Sequence, residues 1–521
     1  MKALLPFIHV NTQWRHAALY DSSLWTTIHL KQTTAALLDV ILANAGNRLF
    51  TVYVDHRDFG RLAKLWERFD RVEELHYTLD GIEGLTPFIT SLGPAPNLKA
   101  LYLQPGFVAG PIQPAADLPV IFSGCFPSLR SITFSNTIVW PPGVFKGLVS
   151  FEYGASEQYF ISGYHALDVL QHSPSIESLR LVGFCQLPDT PNPHPIDFPS
   201  LVKCTLIGDG TTALIRHLAL PATAAVSISK SGIDERGIFP RFDDYSVVPA
   251  LCALGEVYSI SVFVGDCAVG IRAKNKHGGV LDAKVEELYD RSGNPSNFIR
   301  FVRSSFDSWR ICPGFDTAKE FTLCVERGRI WGTIEANCFA MSIVEFFFNL
   351  PSVSVEEVKL LGVPPRELTI LLQALCSHPQ FKDLCPNLKR LHIETTPLRS
   401  LWSLLAGFGR RLADRREDSV PFQSVVVKVR CEMLIPATDH CALLATWDDF
   451  VAEGVGLEYE RAEVRMLQRC PRRGREDEDE GDEDEGATIV DPGYRCVGWD
   501  GWPGNWPKTI GEARVRRTES T

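Results

Sequence analysis

From Pro96 to Leu103 the chain reads Pro-Asn-Leu-Lys-Ala-Leu-Tyr-Leu, and this phrase decides the fold because the chain keeps returning to it. Leu101 and Leu103 flank Tyr102, the alternation of a strand buried on one face. The same Pro-x-Leu and L-x-L pattern recurs at Phe126–Phe134 (FPSLRSITF), Phe198–Ile207 (FPSLVKCTLI) and Cys385–Ile393 (CPNLKRLHI). Looser copies stand at Val72–Leu79, Leu148–Tyr153, Ser175–Leu181, Val355–Leu361 and Phe422–Val429. Successive copies lie roughly 19 to 36 residues apart, which leaves room for one strand and one connection. So small a unit cannot bury its apolar face alone, so neighbours must stack and share a core.

The segments between the copies point to the fold class. Helices are predicted at Thr33–Ala45 (stopped by Gly46), Asn294–Trp309, Asn337–Asn349, Pro365–Ser377, Leu398–Leu412 and His440–Val451. Phe50–Val54, Val257–Val264 and Lys319–Val325 are predicted strands, whereas Gly265–Gly279 fits no repeat and reads as an excursion loop. Strands alternating with helices favour a parallel sheet with crossovers. The expected class is α/β: an irregular leucine-rich-repeat-like solenoid over residues 33–470, a curved parallel sheet with outer helices. About ten to twelve units are expected.

The bulk numbers suit a large globular chain: 521 residues, 45% hydrophobic and 22% charged. The formal net charge of -11 is concentrated in Glu476–Glu485 (EDEDEGDEDE), which holds nine carboxylates. The remainder is near neutral, with no global field to attract nucleic acid or an anionic membrane. Residues 471–521 read as an acidic, mostly disordered tail. Its Trp499, Trp502 and Trp506 either fold back on the last repeat or form a docking peptide. The 14 cysteines occur singly, without CxxC pairs or zinc-ligand spacing, and there is no Asn-x-Ser/Thr sequon. No secretory leader is read at the N-terminus, and no apolar stretch nears the roughly 20 residues of a membrane span. These features predict a reduced, intracellular protein, cytoplasmic or nuclear, with no cofactor or metal and with thiols acting as small buried hydrophobes.

At the start of the chain, Phe7, Val10, Trp14, Ala17 and Ala18 follow helical spacing, and Asp21-Ser22-Ser23 breaks the helix. Leu24, Trp25 and Ile28 form a second apolar cluster. Val10-Asn11-Thr12-Gln13-Trp14-Arg15-His16-Ala17-Ala18-Leu19, followed by Leu24-Trp25-Thr26-Thr27-Ile28, resembles the second half of the F-box as fungal F-box/leucine-rich-repeat proteins carry it. There the pattern is V-x-x-x-W-R-x-x-A-L followed by L-W-x-x-I. The repeats look like the same family's receptor half. The family's upstream Leu-Pro-x-Glu helix, which supplies much of its contact with the Skp adaptor, has no counterpart here. Residues 1–32 are therefore expected to be an N-terminally incomplete, helical F-box remnant. The resemblance implies a non-catalytic receptor that recruits a protein substrate to a cullin-type ubiquitin ligase. Trp14, Arg15, Leu24 and Trp25 would be its adaptor-docking or F-box core positions. A second reading is a leucine-rich-repeat binding protein without ligase function, in which Trp14 and Trp25 serve as internal core.

A third reading, an α/β enzyme, requires a convergent set of reactive groups. The chain has no G-x-S-x-G, H-E-x-x-H, Walker or G-x-G-x-x-G motif. Gly208-Asp209-Gly210-Thr211-Thr212 lacks the lysine of a phosphate loop and reads as a turn after a strand. In Asp439-His440-Cys441, neighbouring helical side chains diverge, so thiol and imidazole would not readily align. The carboxylate pairs Glu73-Glu74, Asp243-Asp244 and Glu356-Glu357 would be split between opposite strand faces.

A binding face is easier to derive. With the L-x-L leucines inward, the residue between them faces outward. Those positions read His76, Tyr102, Thr133, Glu152, Arg180, Thr205, Ser261, Thr322, Lys359, His392 and Lys428. Of these, His76, Tyr102, Arg180, Lys359, His392 and Lys428 are the candidate partner face, since Tyr and Arg favour contact hot spots.

Overall fold

The described Pro-x-Leu and Pro-x-Ile phrases at Pro96, Pro127, Pro174 and Pro199 fold as tight turns with proline at the second position, where a fixed φ and a missing N–H cost nothing. The turns are closed by Leu98 N–H to Ala95 O, Leu129 to Phe126, Ile176 to Ser173 and Leu201 to Phe198, at 3.1–3.2 Å. Each turn drives its last residue into the core: Leu98, Leu129, Ile176 and Leu201 are all buried. The next residue then donates to the preceding unit, as with Lys99 N to Glu73 O at 2.7 Å and Arg130 N to Lys99 O at 2.8 Å. A single phrase therefore both turns the chain and starts the ladder.

The computed structural model describes residues 11–55, 58, 65–79, 93–105, 116–117, 121–135, 138–154, 160–186, 195–208, 212–231, 254–264, 269–286, 317–325, 354–363, 368–369, 371–373, 387–395, 424–429 and 456–461. The chain divides into Met1–Arg465 and Met466–Thr521, and all described residues belong to the first unit. Seventeen strands form one open, mostly parallel sheet. In chain order they are β1 Thr27–His29, β2 Phe50–Asp55, β3 Val72–Leu79, β4 Ala100–Pro105, β5 Ser131–Ser135 and β6 Ser150–Gly154. There follow β7 Ser178–Val182, β8 Lys203–Ile207, β9 Ala225–Ser231, β10 Val257–Val264, β11 Val269–Asn275 and β12 Val280–Glu286. The last five are β13 Glu320–Val325, β14 Glu357–Leu361, β15 Arg390–Thr395, β16 Ser424–Val429 and β17 Gly456–Arg461.

From β1 to β9 each strand pairs in parallel with the next. The order then inverts. β9 pairs in parallel with β12, β11 lies antiparallel between β12 and β10, and β10 pairs in parallel with β13. Parallel pairing in chain order resumes from β13 to β17. Three short parallel ladders lie outside this sheet: Ala116–Asp117 with Ile138–Val139, Phe160–Ser162 with Phe184–Gln186, and Ile196–Asp197 with Leu218–Ala219.

Register makes the core continuous. Ile28, Val52, Leu75, Leu101, Ile132, Phe151 and Leu179 form one row across β1–β7. Val54, Tyr77, Leu103, Phe134, Tyr153 and Leu181 form a second row, and all thirteen are at most 3% exposed. Each fully buried side chain of this kind is worth about 1.5–3 kcal/mol against exposure. Trp140, just after β5, sits at the centre of an aromatic cluster with Phe134, Phe145, Phe151, Tyr153 and His165, ring centroids 5.3–6.0 Å away.

Several expectations are corrected. Gly265–Gly279 is no excursion loop, since it contains β11 and the turn back to β12. β1, β9, β12 and β17 are also strands that the repeat pattern did not single out. Among the described residues α1 Thr12–Tyr20, α2 Ala35–Asn44 and α3 Gly163–Gln171 are α-helices, and α2 falls within the helix expected at Thr33–Ala45. Elsewhere tight 3-10 turns such as Ile121–Gly124 and Thr212–His217 stand in the connections, because a parallel crossover needs reach rather than a particular helix. α2 follows Thr34, whose hydroxyl accepts from Leu37 N at 3.2 Å, and precedes Gly46 at φ +57, where glycine carries no Cβ penalty. The N-terminal segment is not wholly helical: after α1, Asp21 caps a 3-10 turn at Ser22–Trp25 and the chain enters β1. Cys204 is fully buried, and burial pushes its thiol up to about 12. Cys125, against expectation, is exposed. The helices expected at Asn294–Trp309, Asn337–Asn349, Leu398–Leu412 and His440–Val451, most of Pro365–Ser377, and the tryptophan-containing tail lie outside the described residues.

Candidate protein-interaction face

Between the two buried rows runs a third, whose residues alternate with them and so occupy the opposite face of the sheet. Across the sheet it reads His29, Tyr53, His76, Tyr102, Thr133, Glu152, Arg180, Thr205, Ser227, Asp282, Arg272, Ser261, Thr322, Lys359, His392, Val426 and Glu458. Of the candidate partner residues, His76, Tyr102, Arg180, Lys359 and His392 thus share one row. Lys428 does not: Val426 holds the row position on β16, while Lys428 is in register with Glu394 and Glu460 two residues along.

The first four rungs are rings, and they stack. Centroids are 4.4 Å apart for His29 and Tyr53, 4.3 Å for Tyr53 and His76, and 4.0 Å for His76 and Tyr102, with planes within 15°. In-register parallel strands lie about 4.8 Å apart, so flat side chains at one register position meet face to face. The Glu74 carboxylate lies beside this stack, 3.7 Å from His76 Nε2, and accepts from the Thr51 hydroxyl at 3.4 Å. Burial holds both histidines below their ordinary range, and Glu74 partly opposes this for His76.

That shift predicts a pH dependence. The unfolded chain binds the histidine proton more readily than the folded one, so stability falls as pH drops through about 6.5. Between pH 7.5 and 5.5 the melting temperature is expected to decline, and His76→Phe, which keeps a ring in the stack, should flatten the decline. An unchanged slope in that variant would remove His76 from the account.

Beyond the rings the face turns polar and ionic. Glu152 Oε1 meets Arg180 Nε at 2.9 Å. In the inverted region Arg272, only 6% exposed, makes a two-toothed pair with Asp282, with Nη2 to Oδ2 at 3.0 Å. At the far end Glu357 meets Lys359 at 3.4 Å and Arg390 at 3.3 Å. Just before β14, Glu356 bridges Lys319 and Lys389 at 2.8 and 2.9 Å. Hydrogen bonds from those two lysines lower its carboxyl to about 2. The described residues contain no group of three or more His, Cys, Asp or Glu arranged to hold a metal. No described helix is long and apolar enough to cross a membrane.

The N-terminal candidates divide. Trp25 is 2% exposed and joins the sheet's core with Ile28 and Leu30. Leu24 is 41% exposed and Arg15 lies exposed on α1, while the side chain of Trp14 lies outside the described set. Sequence reasoning missed His29 and Tyr53. Their signal was present: Ile28-His29-Leu30 and Val52-Tyr53-Val54 are the same apolar-x-apolar triplet. Arg272 and Asp282 had no such signal, because they meet only through the inverted strand order. No protein-family model matches the chain, and no curated protein sequence matches it either.

Proposed function

We propose that the chain is a non-catalytic protein-interaction scaffold, an irregular leucine-rich-repeat-like solenoid that binds a protein substrate on its open sheet face. The observation that carries this reading is the single in-register row of rings, charged and small polar residues from His29 to His392. A long face of mixed polarity with part-exposed Tyr, His and Arg suits protein recognition. In the fuller form of the proposal the chain is an F-box-like receptor that brings this substrate to a cullin-type ubiquitin ligase through the Skp adaptor. In its support, α1 and the turn after it carry Leu19, Tyr20 and Leu24 at 36%, 81% and 41% exposure, an unusual grouping of large apolar side chains next to exposed Arg15.

A second reading has its own support. Trp25, Ile28 and Leu30 are buried against the first units, so the N-terminal segment also serves as a cap for the repeat array without any ligase role. A pull-down with purified Skp adaptor separates the two. The receptor reading expects capture by the intact chain and its loss, by tenfold or more, in Leu19→Asp/Leu24→Asp, whose exposed positions leave the fold intact. No capture by the intact chain would leave the scaffold reading alone standing.

A further inference from the structure

The ring stack ends abruptly. His29, Tyr53, His76 and Tyr102 fill four successive rungs, and the fifth is Thr133, too short to reach the height of the rings. The sixth rung is Glu152, in register with Thr133. With about 4.8 Å per strand, Tyr102 and Glu152 bracket a slot about 9.6 Å wide, floored by the threonine. That is the width of one more stacked planar group between a ring face and a carboxylate.

Both walls are fixed. Tyr102 is packed against His76 on its inner side, with ring centroids 4.0 Å apart. Among the described residues no ring stacks on its outer face. Arg180 holds the Glu152 carboxylate through one oxygen, Oε1, and leaves the other available. Arg180 balances Glu152, while Glu74 flanks the Tyr102 end of the slot from β3, where burial holds the neighbouring His76 below its ordinary range. After burial itself, the charge of Glu74 raises the Tyr102 phenol, with a smaller contribution from Glu152.

We propose that this slot above Thr133 receives an arginine side chain of the protein partner, its guanidinium stacked on the outer face of Tyr102 and its N–H groups donated to Glu152. The inference rests on the scaffold reading and names the chemistry that the face selects. A guanidinium is flat, permanently cationic and rich in donors, so it both continues the stack and meets the carboxylate. A lysine ammonium would meet the carboxylate without stacking. A partner phenylalanine ring would stack without meeting the carboxylate.

The test uses the full chain, immobilised and panned against a random linear peptide library. Selected peptides are then resynthesised with each arginine replaced by citrulline, which keeps the shape and loses the charge. The expected result is one arginine common to the binders, and a weakening of about tenfold on its exchange. Tyr102→Ala and Glu152→Gln should give similar losses, and the citrulline peptide should no longer distinguish these variants from wild type. Thr133→Tyr, which fills the slot and extends the stack, should also abolish the arginine preference while circular dichroism and melting temperature stay native. Binders without a required arginine, or with one insensitive to all three variants, would overturn the inference and leave the scaffold reading intact. Failure to select any peptide would overturn the inference and weigh against the scaffold reading too.

Discussion

Exchanging Asn275 for aspartate is expected to cost about 3 kcal/mol or more, because each buried partner left unmade costs about 1–3 kcal/mol. Asn275 ends β11 and is 7% exposed. Its Nδ2 donates to Ala222 O at 2.6 Å and Leu254 O at 2.8 Å, and its Oδ1 accepts from His277 N at 2.9 Å and Gly279 N at 2.8 Å. Aspartate keeps the acceptor but turns the donor end into a second oxygen aimed at two carbonyls. Ala222 lies on the connection into β9, so these bonds tie the inverted strands to the parallel sheet at the place where chain order breaks. The fit is close: a Cβ on Gly279 would stand 2.0 Å from Ala222 O. Urea unfolding at pH 7 checks the cost, and it should shrink toward pH 4 as the buried aspartate takes up a proton and regains one donor. A loss within about 0.5 kcal/mol, the range of an ordinary surface change, would mean that the tether contributes nothing.

The second large effect is expected at Trp140. Truncation to alanine should cost about 3–5 kcal/mol, the range for a fully buried large aromatic. Trp140 is 1% exposed and meets the rings of two successive strands, through Phe134 of β5 and Phe151 and Tyr153 of β6, as well as His165 of α3. The cavity would therefore open between β5, β6 and α3. Trp140→Phe should recover part of the loss. Denaturant melts of both variants decide the matter, and an alanine variant as stable as the phenylalanine one would show that the cluster repacks. Asn275 and Trp140 share no partners among their described contacts, so the two losses should add.

These two residues mark the limits of what the chain reveals by itself. Leu101, Leu103, Phe134, Leu181 and Ile393 could be placed in the core from alternation alone, and all are buried. His76, Tyr102 and Arg180 could be placed between them on the opposite face for the same reason. Trp140 carries no such signal, since it lies in a connection where periodicity is silent. Asn275 looked like a loop residue because Asn-Lys-His-Gly-Gly is turn chemistry, and the turn is indeed there. What the turn joins was not legible.

The sequence by itself determined the repeating unit: a proline turn, a buried leucine and a strand with a period of two. Those are local properties, set by backbone sterics and side-chain alternation over eight or nine residues, so they survive in any copy wherever it stands. Only the tertiary structure decided which strand neighbours which. Register turned His29, Tyr53, His76 and Tyr102 into one stack, and the inversion placed Arg272 beside Asp282. Pairing across β9 to β13 depends on hydrogen bonds and burial between segments tens of residues apart, and no short stretch of sequence contains that information.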